Sequence, residues 1–119
     1  MQNYKNLKVW NDAHLFTVQI YKATVQFPKS EMYGLVSQMR RASSSIPANI
    51  AEGCGKNGDN DFAKFLNIAL GSANESEYFL ILSKDLQYID LEVFQQLLDR
   101  INKIKAMLIS LISKVRKAD

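Results

Sequence analysis

The stretch from Ser37 to Gly55, which reads SQMRRASSSIPANIAEGCG, constrains the fold of this chain more than any other. Apolar residues recur in it every three or four positions, and one residue upstream extends the row: Leu35, Met39, Ala42, Ile46 and Ile50. This spacing is typical of one face of an α-helix that packs against other elements. We therefore predict a helix from about Met32 to Cys54, with Gly53 and Gly55 marking its end.

Pro47 lies in the middle of this predicted helix. A proline inside a helix removes one backbone hydrogen bond and kinks the axis, at a cost of about 3 kcal/mol. The apolar spacing continues in phase from Ile46 to Ile50, so we predict that helix two is kinked at Pro47 rather than broken. The carbonyl that loses its donor lies near Ser43, and we expect a serine hydroxyl from residues 43–45 to bond it.

A row of hydrogen-bonding residues lies roughly 100° around the same helix from the apolar row. A solvated flank would more usually carry Lys and Glu, so we interpret this row as a structural polar ladder that meets another element. We expect Arg41 to pair with a carboxylate across the bundle, Glu75 or Glu52, and the alternative is that it contacts a ligand or partner. The residues of this row are Gln38, Arg41, Ser45, Asn49 and Glu52, and Glu75 of the third predicted helix completes the ladder from across the bundle. Arg40 points further from the row, which would leave it free for a ligand or partner.

Three further segments show helical spacing. They run from about Leu7 to Gln26, from Asp59–Asp61 to Gln87, and from Leu91 to Arg116. Short connections between four helices force neighbours to run antiparallel, so the sequence predicts an all-α, antiparallel up-down four-helix bundle. We expect a single domain over residues 1–119. Gly71 and Ser72 lower the helical propensity of the third helix, and we expect the backbone of a neighbouring element to approach them closely.

The net charge of +3 is small, but the charges are unevenly distributed. Residues 1–30 carry four lysines against one aspartate, residues 91–119 carry six basic against three acidic residues, and residues 31–90 carry five basic against eight acidic. The basic termini are either simply solvated or face a polyanion such as RNA. In the second case the candidate nucleic-acid contacts are Lys5, Lys8, Arg40, Lys103, Lys105, Lys114, Arg116 and Lys117.

Tyr4 and Trp10 stand beside two of these lysines in the sequence. Aromatic rings in such a cluster stack on unpaired bases while lysines contact phosphates. The alternative is that Trp10 belongs to the core and that the lysines are simply solvated.

Residues suited to catalysis or metal binding are scarce in this chain. A di-metal centre in a four-helix bundle takes Glu-x-x-His from two helices, but His14 is the only histidine and no Glu-x-x-His occurs. Cys54 is the only cysteine, and no histidine stands near it in the sequence to activate it. We therefore predict no enzyme, no catalytic residue, no cofactor and no metal site. The polar first residues, the lack of an apolar run of about 20 residues and the single cysteine lead us to expect a cytoplasmic protein without membrane contact.

Several motifs, in order along nearly the whole chain, resemble those of one protein family. They are NLKVW at 6–10, FPKSEMYGL at 27–35, SQMRRA and SIPANIAEG between 37 and 53, and ALGSANESE at 69–77. The family is that of small bacterial four-helix-bundle proteins encoded in 23S rRNA intervening sequences, and it includes the accessory variability proteins of diversity-generating retroelements. The retroelement branch forms oligomeric basic barrels that partner a reverse transcriptase and RNA. The resemblance therefore implies a four-helix bundle and a homo-oligomer, with five subunits in a ring.

The pattern of the helices also predicts self-association. Helices one and three carry apolar residues on more than one side, and surplus apolar surface usually marks an interface. We predict a non-catalytic, self-associating bundle protein that binds RNA or serves as a scaffold accessory protein, with itself and RNA or a nucleic-acid enzyme as partners. The alternative is a purely protein–protein interaction module without nucleic-acid binding. A salt-dependent shift of labelled RNA would separate the two.

Overall fold

Four α-helices make up most of the molecule. The computed structural model describes residues 2–118, and its helices are α1 (Lys8–Thr24), α2 (Leu35–Cys54), α3 (Asp59–Asp85) and α4 (Leu91–Ala118). Each helix packs against the next one along the chain, and α1 also packs against α4, which closes the bundle. The predicted all-α, antiparallel up-down four-helix bundle is confirmed.

The core is built from one apolar stripe of each helix. The row predicted around Pro47 faces this core, since every one of its five residues is buried. Fully burying one such side chain contributes about 1.5–3 kcal/mol, so these stripes are the main force that holds the helices together. The largest fully buried apolar side chains are Phe16, Ile20, Ile46, Ile50, Leu66, Leu80, Ile101, Ile104 and Leu108.

The connection between α1 and α2 is longer than the sequence predicts. Lys29–Glu31 form a short 3-10 helix, and α2 begins only at Leu35 rather than at Met32. A carboxylate oxygen of Glu31 accepts a hydrogen bond of 3.3 Å from the backbone amide of Leu35. Because the first amides of a helix have no helical acceptor, this contact favours a start at Leu35.

Pro47 does not break α2, which continues as one helix from Leu35 to Cys54. The kink at Pro47 itself stays a prediction. The replacement donor for the carbonyl of Ser43 comes from another helix: Oγ1 of Thr17 in α1 lies 2.9 Å from that carbonyl oxygen. Thr17 is buried, so water is not available to do the same.

The expected serine donor was wrong. The hydroxyl of Ser43 donates to the carbonyl of Arg40 at 3.2 Å, and that of Ser44 donates to the carbonyl of Arg41 at 3.3 Å. Helical serines bond the carbonyl three or four residues before them, so Ser43 and Ser44 cannot serve the carbonyl of Ser43 itself. The hydroxyl of Ser45 points towards α3, where it lies 2.9 Å from that of Ser72.

Two glycines have roles that differ from the predicted ones. Gly53 lies inside the last turn of α2, and a Cβ placed there would lie 3.0 Å from Cδ1 of Phe62 and from Cβ of Phe65 in α3. Its lack of a side chain therefore permits the close approach of α3 to α2. A Cβ at Gly71 would meet nothing within 4 Å, so the expected neighbouring backbone is not found there within the described residues.

Candidate nucleic-acid interface

Two predicted cations from opposite ends of the chain come together between α1 and α4. Lys8 and Lys103 line one groove of about 260 Å³ together with Arg100, and Asp12 and Asp99 are the acidic residues of its lining. The ammonium of Lys8 lies 3.2 Å from the carboxylate of Asp12, but the lysine side chain is 79% exposed, so this ion pair is weak. Three cations thus face two carboxylates in what we call the α1–α4 groove.

A second set of predicted cations lies in the last turns of α4. Lys114, Arg116 and Lys117 are all exposed there, next to the negative end of the helix dipole. Arg116 also reaches a groove between α3 and α4, which it lines together with Lys64. These four cations lie at the end of the bundle where α3 begins and α4 ends, separate from the α1–α4 groove, and Asp59 and Asp61 of α3 lie at the same end.

Lys105 differs from the other predicted cations because it already has a partner. Its ammonium donates to Oε1 of Glu77 in α3 at 2.8 Å, and only 22% of the lysine side chain and 26% of the glutamate side chain are exposed. The pair joins α4 to α3. Lys105 is therefore better placed to stabilise the bundle than to contact a phosphate.

The N-terminal aromatic cluster divides between the core and the surface. Lys5 is exposed, and its ammonium lies 5.9 Å from the centre of the Tyr4 ring. Trp10 packs against the core, which agrees with the structural alternative that the sequence left open. The ring of Trp10 also stacks on that of His14, with 5.3 Å between the ring centres. Tyr4 is likewise partly buried and packs against the core, so the lysines are the members of the cluster that lie at the surface.

The sequence suggested that Arg40 is free of contacts within the bundle, but it is not, although its partners are uncharged. Its Nε donates to Oγ1 of Thr24 at 3.0 Å, and its Nη2 donates to the carbonyl of Tyr21 at 3.3 Å. The guanidinium lies over the ring of Tyr21, with Cζ 4.7 Å from the ring centre. The physical reason is the helical phase of Arg40, which lies on the side of α2 that faces α1.

The predicted polar ladder exists only in part. The amide nitrogen of Asn49 donates to the carbonyl of Ser45 at 2.8 Å, and the hydroxyl of Ser45 bonds Ser72 of α3. The remaining members, Gln38, Arg41, Glu52 and Glu75, are exposed.

The pairing of Arg41 with Glu75 or Glu52 was wrong, since within residues 2–118 Arg41 forms no ion pair. Arg41 and Glu52 lie roughly 130–150° around α2 from the core direction, whereas Asn49 lies only about 70° from it. Their side chains therefore point to solvent instead of towards α3.

Sequence reasoning missed a groove at the junction of α1 and α2, which we call the Tyr–Arg groove. Tyr21, Tyr33, Arg40 and Arg41 line it together with Met32, and its volume is about 440 Å³. Tyr33 is 93% exposed and Met32 is 53% exposed. The signal that could have found it is the pair of large apolar residues in a connection that lies outside the helical rows.

The part of the chain that the structure describes contains neither a cluster of metal-binding side chains nor a membrane-spanning helix. Within residues 2–118, no three side chains of His, Cys, Asp or Glu lie close enough together to hold a metal ion. Burial raises the pKa of the Cys54 thiol, which keeps it protonated and unreactive at neutral pH. None of the helices described is long and apolar enough to cross a membrane.

Comparisons with known proteins agree on one family. Residues 5–110 match the model of the 23S rRNA-intervening sequence protein family. A crystal structure of a protein with unknown function from the S23 ribosomal protein family of Bacteroides thetaiotaomicron VPI-5482 is similar to this chain, with 34% sequence identity and a TM-score of 0.79. The similarity covers 87% of this chain and 97% of that chain. The comparison with curated proteins gave no match.

Proposed function

Since the chain belongs to the family of 23S rRNA-intervening sequence proteins, we propose that it is a non-catalytic, self-associating bundle protein that binds RNA weakly and without sequence preference. The observation that carries the RNA proposal is the convergence of Lys8, Arg100 and Lys103 on the α1–α4 groove. These residues come from two helices and from opposite ends of the sequence. Cations that are brought together in this way can contact successive phosphates of one backbone.

The assembly part of the proposal rests on the outer face of α3. Ile68, Tyr78 and Ile81 expose 43%, 56% and 38% of their surface on this face, and Gly71 lies among them. The subunit itself gives Gly71 no close neighbour, although a glycine in mid-helix costs about 1 kcal/mol relative to alanine. A second subunit packed on this helix-three face would bury the apolar side chains and account for the glycine.

Assembly and RNA binding support each other in this proposal. A single subunit with a charge of +3 is a weak ligand for a polyanion. A ring of five would repeat the α1–α4 groove around an axis, and several weak contacts to one RNA multiply in effect. The ring could equally present RNA to a nucleic-acid enzyme, which is the scaffold role.

The test of RNA binding is a titration of labelled RNA at several salt concentrations. We expect retention at about 50 mM salt and a steep loss of affinity as salt rises, because each neutralised phosphate releases counterions. Absence of retention at about 50 mM salt would contradict the RNA proposal and leave the protein–protein module in its place.

The test of assembly is light scattering at micromolar concentration. We expect a mass that is a multiple of the 13.5 kDa subunit, and a fall in this mass for Ile68→Glu. Ile109→Glu is the matched control, because Ile109 is similarly exposed at 56% but lies on α4, outside the two helices whose surplus apolar surface predicts the interface. A wild-type mass of one subunit would contradict self-association.

A further inference from the structure

The Tyr–Arg groove contains a guanidinium that is held in place but not neutralised. The hydroxyl of Thr24 donates to the carbonyl of Ile20 at 2.8 Å, which leaves its lone pairs for Nε of Arg40. The other partners of Arg40 are the carbonyl and the ring of Tyr21, and both are uncharged. Within residues 2–118, no carboxylate lies within ion-pair distance of Arg40.

The rest of the groove adds aromatic surface and a second cation. Tyr33 is 93% exposed, and the exposed side chain of Arg41 lines the same groove. The residues that line the groove include no Asp or Glu. The nearest acid in the sequence, Glu31, is engaged elsewhere: its carboxylate accepts hydrogen bonds from the hydroxyl of Tyr88 at 2.9 Å and from the amide of Leu35 at 3.3 Å.

We propose that the Tyr–Arg groove binds one unpaired nucleotide of single-stranded RNA, with the base against the ring of Tyr33 and the phosphate bonded by Arg40 and Arg41. This inference rests on the proposed RNA binding and assigns the contact with an unpaired base to the Tyr–Arg groove. Charge selects the ligand, because two arginines without a carboxylate partner favour an anion that takes forked hydrogen bonds. The exposed ring of Tyr33 and the neighbouring Met32 favour a flat, partly apolar group, which the base of the nucleotide provides.

The size of the groove agrees with such a ligand. Its volume of about 440 Å³ falls within the roughly 300–1,000 Å³ of ordinary small-molecule sites. A base in a duplex is stacked on both faces and cannot lie against Tyr33. The groove is therefore specific for unpaired nucleotides, whereas the α1–α4 groove offers only charge.

The experiment compares two labelled RNA oligonucleotides of equal length at about 50 mM salt, one with bases and one abasic. The variants are Tyr33→Ala, which removes the ring, Tyr33→Phe, which keeps it, and Arg41→Gln, which removes one charge. We expect Tyr33→Ala to weaken binding of the RNA with bases at least about 5-fold, and Tyr33→Phe to bind it like the wild type. We expect Arg41→Gln to weaken binding of both RNAs, and Tyr33→Ala to leave binding of the abasic RNA unchanged.

The outcomes separate this inference from the proposed function. If the wild type binds RNA and all three variants bind it equally well, the groove is not the site, but RNA binding stands. If the wild type binds neither RNA, both proposals are overturned. If Tyr33→Ala lowers the mass seen by light scattering along with the affinity, the groove is an interface between subunits, and the nucleotide site is wrong.

Discussion

The hydroxyl of Thr17 in α1 lies 2.9 Å from the carbonyl oxygen of Ser43 in α2, the acceptor that Pro47 deprives of its helical donor. The same hydroxyl lies 3.0 Å from the carbonyl of Ala13 in its own helix, so it can bond either acceptor. Both residues are buried. The donor that α2 lacks at Ser43 is thus supplied by α1, and this contact fixes the position of α1 along the axis of α2.

Thr17→Val tests the strength of this contact. Valine has nearly the same shape but no donor, and a buried carbonyl left without a partner costs about 1–3 kcal/mol. We expect a loss of that size in the free energy of unfolding, measured by urea denaturation. In a Pro47→Ala background the new amide can serve Ser43, so the same change should cost less. Equal costs in both backgrounds would show that Thr17 acts through something other than this carbonyl.

Gly53 and Gly71 allow a matched pair of alanine substitutions. A Cβ at position 53 would lie 3.0 Å from Phe62 and Phe65, so we expect Gly53→Ala to lower the free energy of unfolding by about 1–3 kcal/mol through overpacking. The space at position 71 is open, so Gly71→Ala should raise it by about 1 kcal/mol through helix propensity. The measurement is chemical denaturation of dilute protein, below the concentration at which subunits associate. A loss of stability for Gly71→Ala would contradict the open site.

Lys103 and Lys105 lie two residues apart on α4 and should respond differently to the same change. Lys103→Gln removes a cation of the α1–α4 groove, so we expect weaker RNA binding. The slope of log K against log salt concentration should become shallower by about 0.7, the value for one phosphate contact on a single strand. Lys105→Gln breaks the ion pair with Glu77, so we expect up to about 1 kcal/mol lower stability and an unchanged salt slope. The measurements are RNA titration against salt and thermal denaturation. Equal salt slopes for the two variants would contradict the assignment of these roles.

Tyr88 should make the stability of the bundle sensitive to alkaline pH. The pKa of its phenol is raised above the ordinary value of 10.0, first by the hydrogen bond that it donates to Glu31 and then by burial and the charge of that carboxylate. A raised folded-state pKa gives a contribution that is complete below about pH 10 and is lost as the pH rises through the raised value. We therefore expect the difference in unfolding free energy between the wild type and Tyr88→Phe to shrink above about pH 10.

Denaturation at several pH values measures this difference, and Tyr33→Phe is the control. Tyr33 is 93% exposed, so Tyr33→Phe controls for the loss of a phenolic hydroxyl that lies in solvent. A constant difference between the wild type and Tyr88→Phe across the alkaline range would contradict the role of the bond to Glu31.

The helices could be predicted from the sequence because their apolar residues repeat at a fixed period. Met39, Ile46 and Ile50 are buried as that period requires, and the family follows from motifs that are local in the sequence. Contacts between helices have no such local signal. Thr17 stands 26 positions before Ser43, and nothing in either neighbourhood indicates that they meet.

The candidate site was harder to predict than the fold for the same reason. Helical phase places Arg40 on the side of α2 that faces α1, but only the packed structure shows that Thr24 and Tyr21 hold it there. In the sequence, Lys105 is indistinguishable from the other lysines of its basic segment, and only the structure shows that it bonds Glu77. The charge of each residue was predictable, whereas its partner depends on the register between helices.

The short first helix has a consequence for how the molecule opens. Lys8, the first residue of α1, lines the same groove as Lys103 of α4. The part of α4 after Lys103 therefore extends beyond the start of α1, and residues 2–7 lie where a longer α1 would pack against it. Tyr4 packs against the core at that end, and the amide of Gln2 donates to the carbonyl of Cys54 at 3.2 Å. A segment that is held to the bundle by so few backbone hydrogen bonds separates from it at a lower free energy than a helix does. Amide hydrogen exchange should therefore spread from this end of the bundle, with the opposite end protected longest.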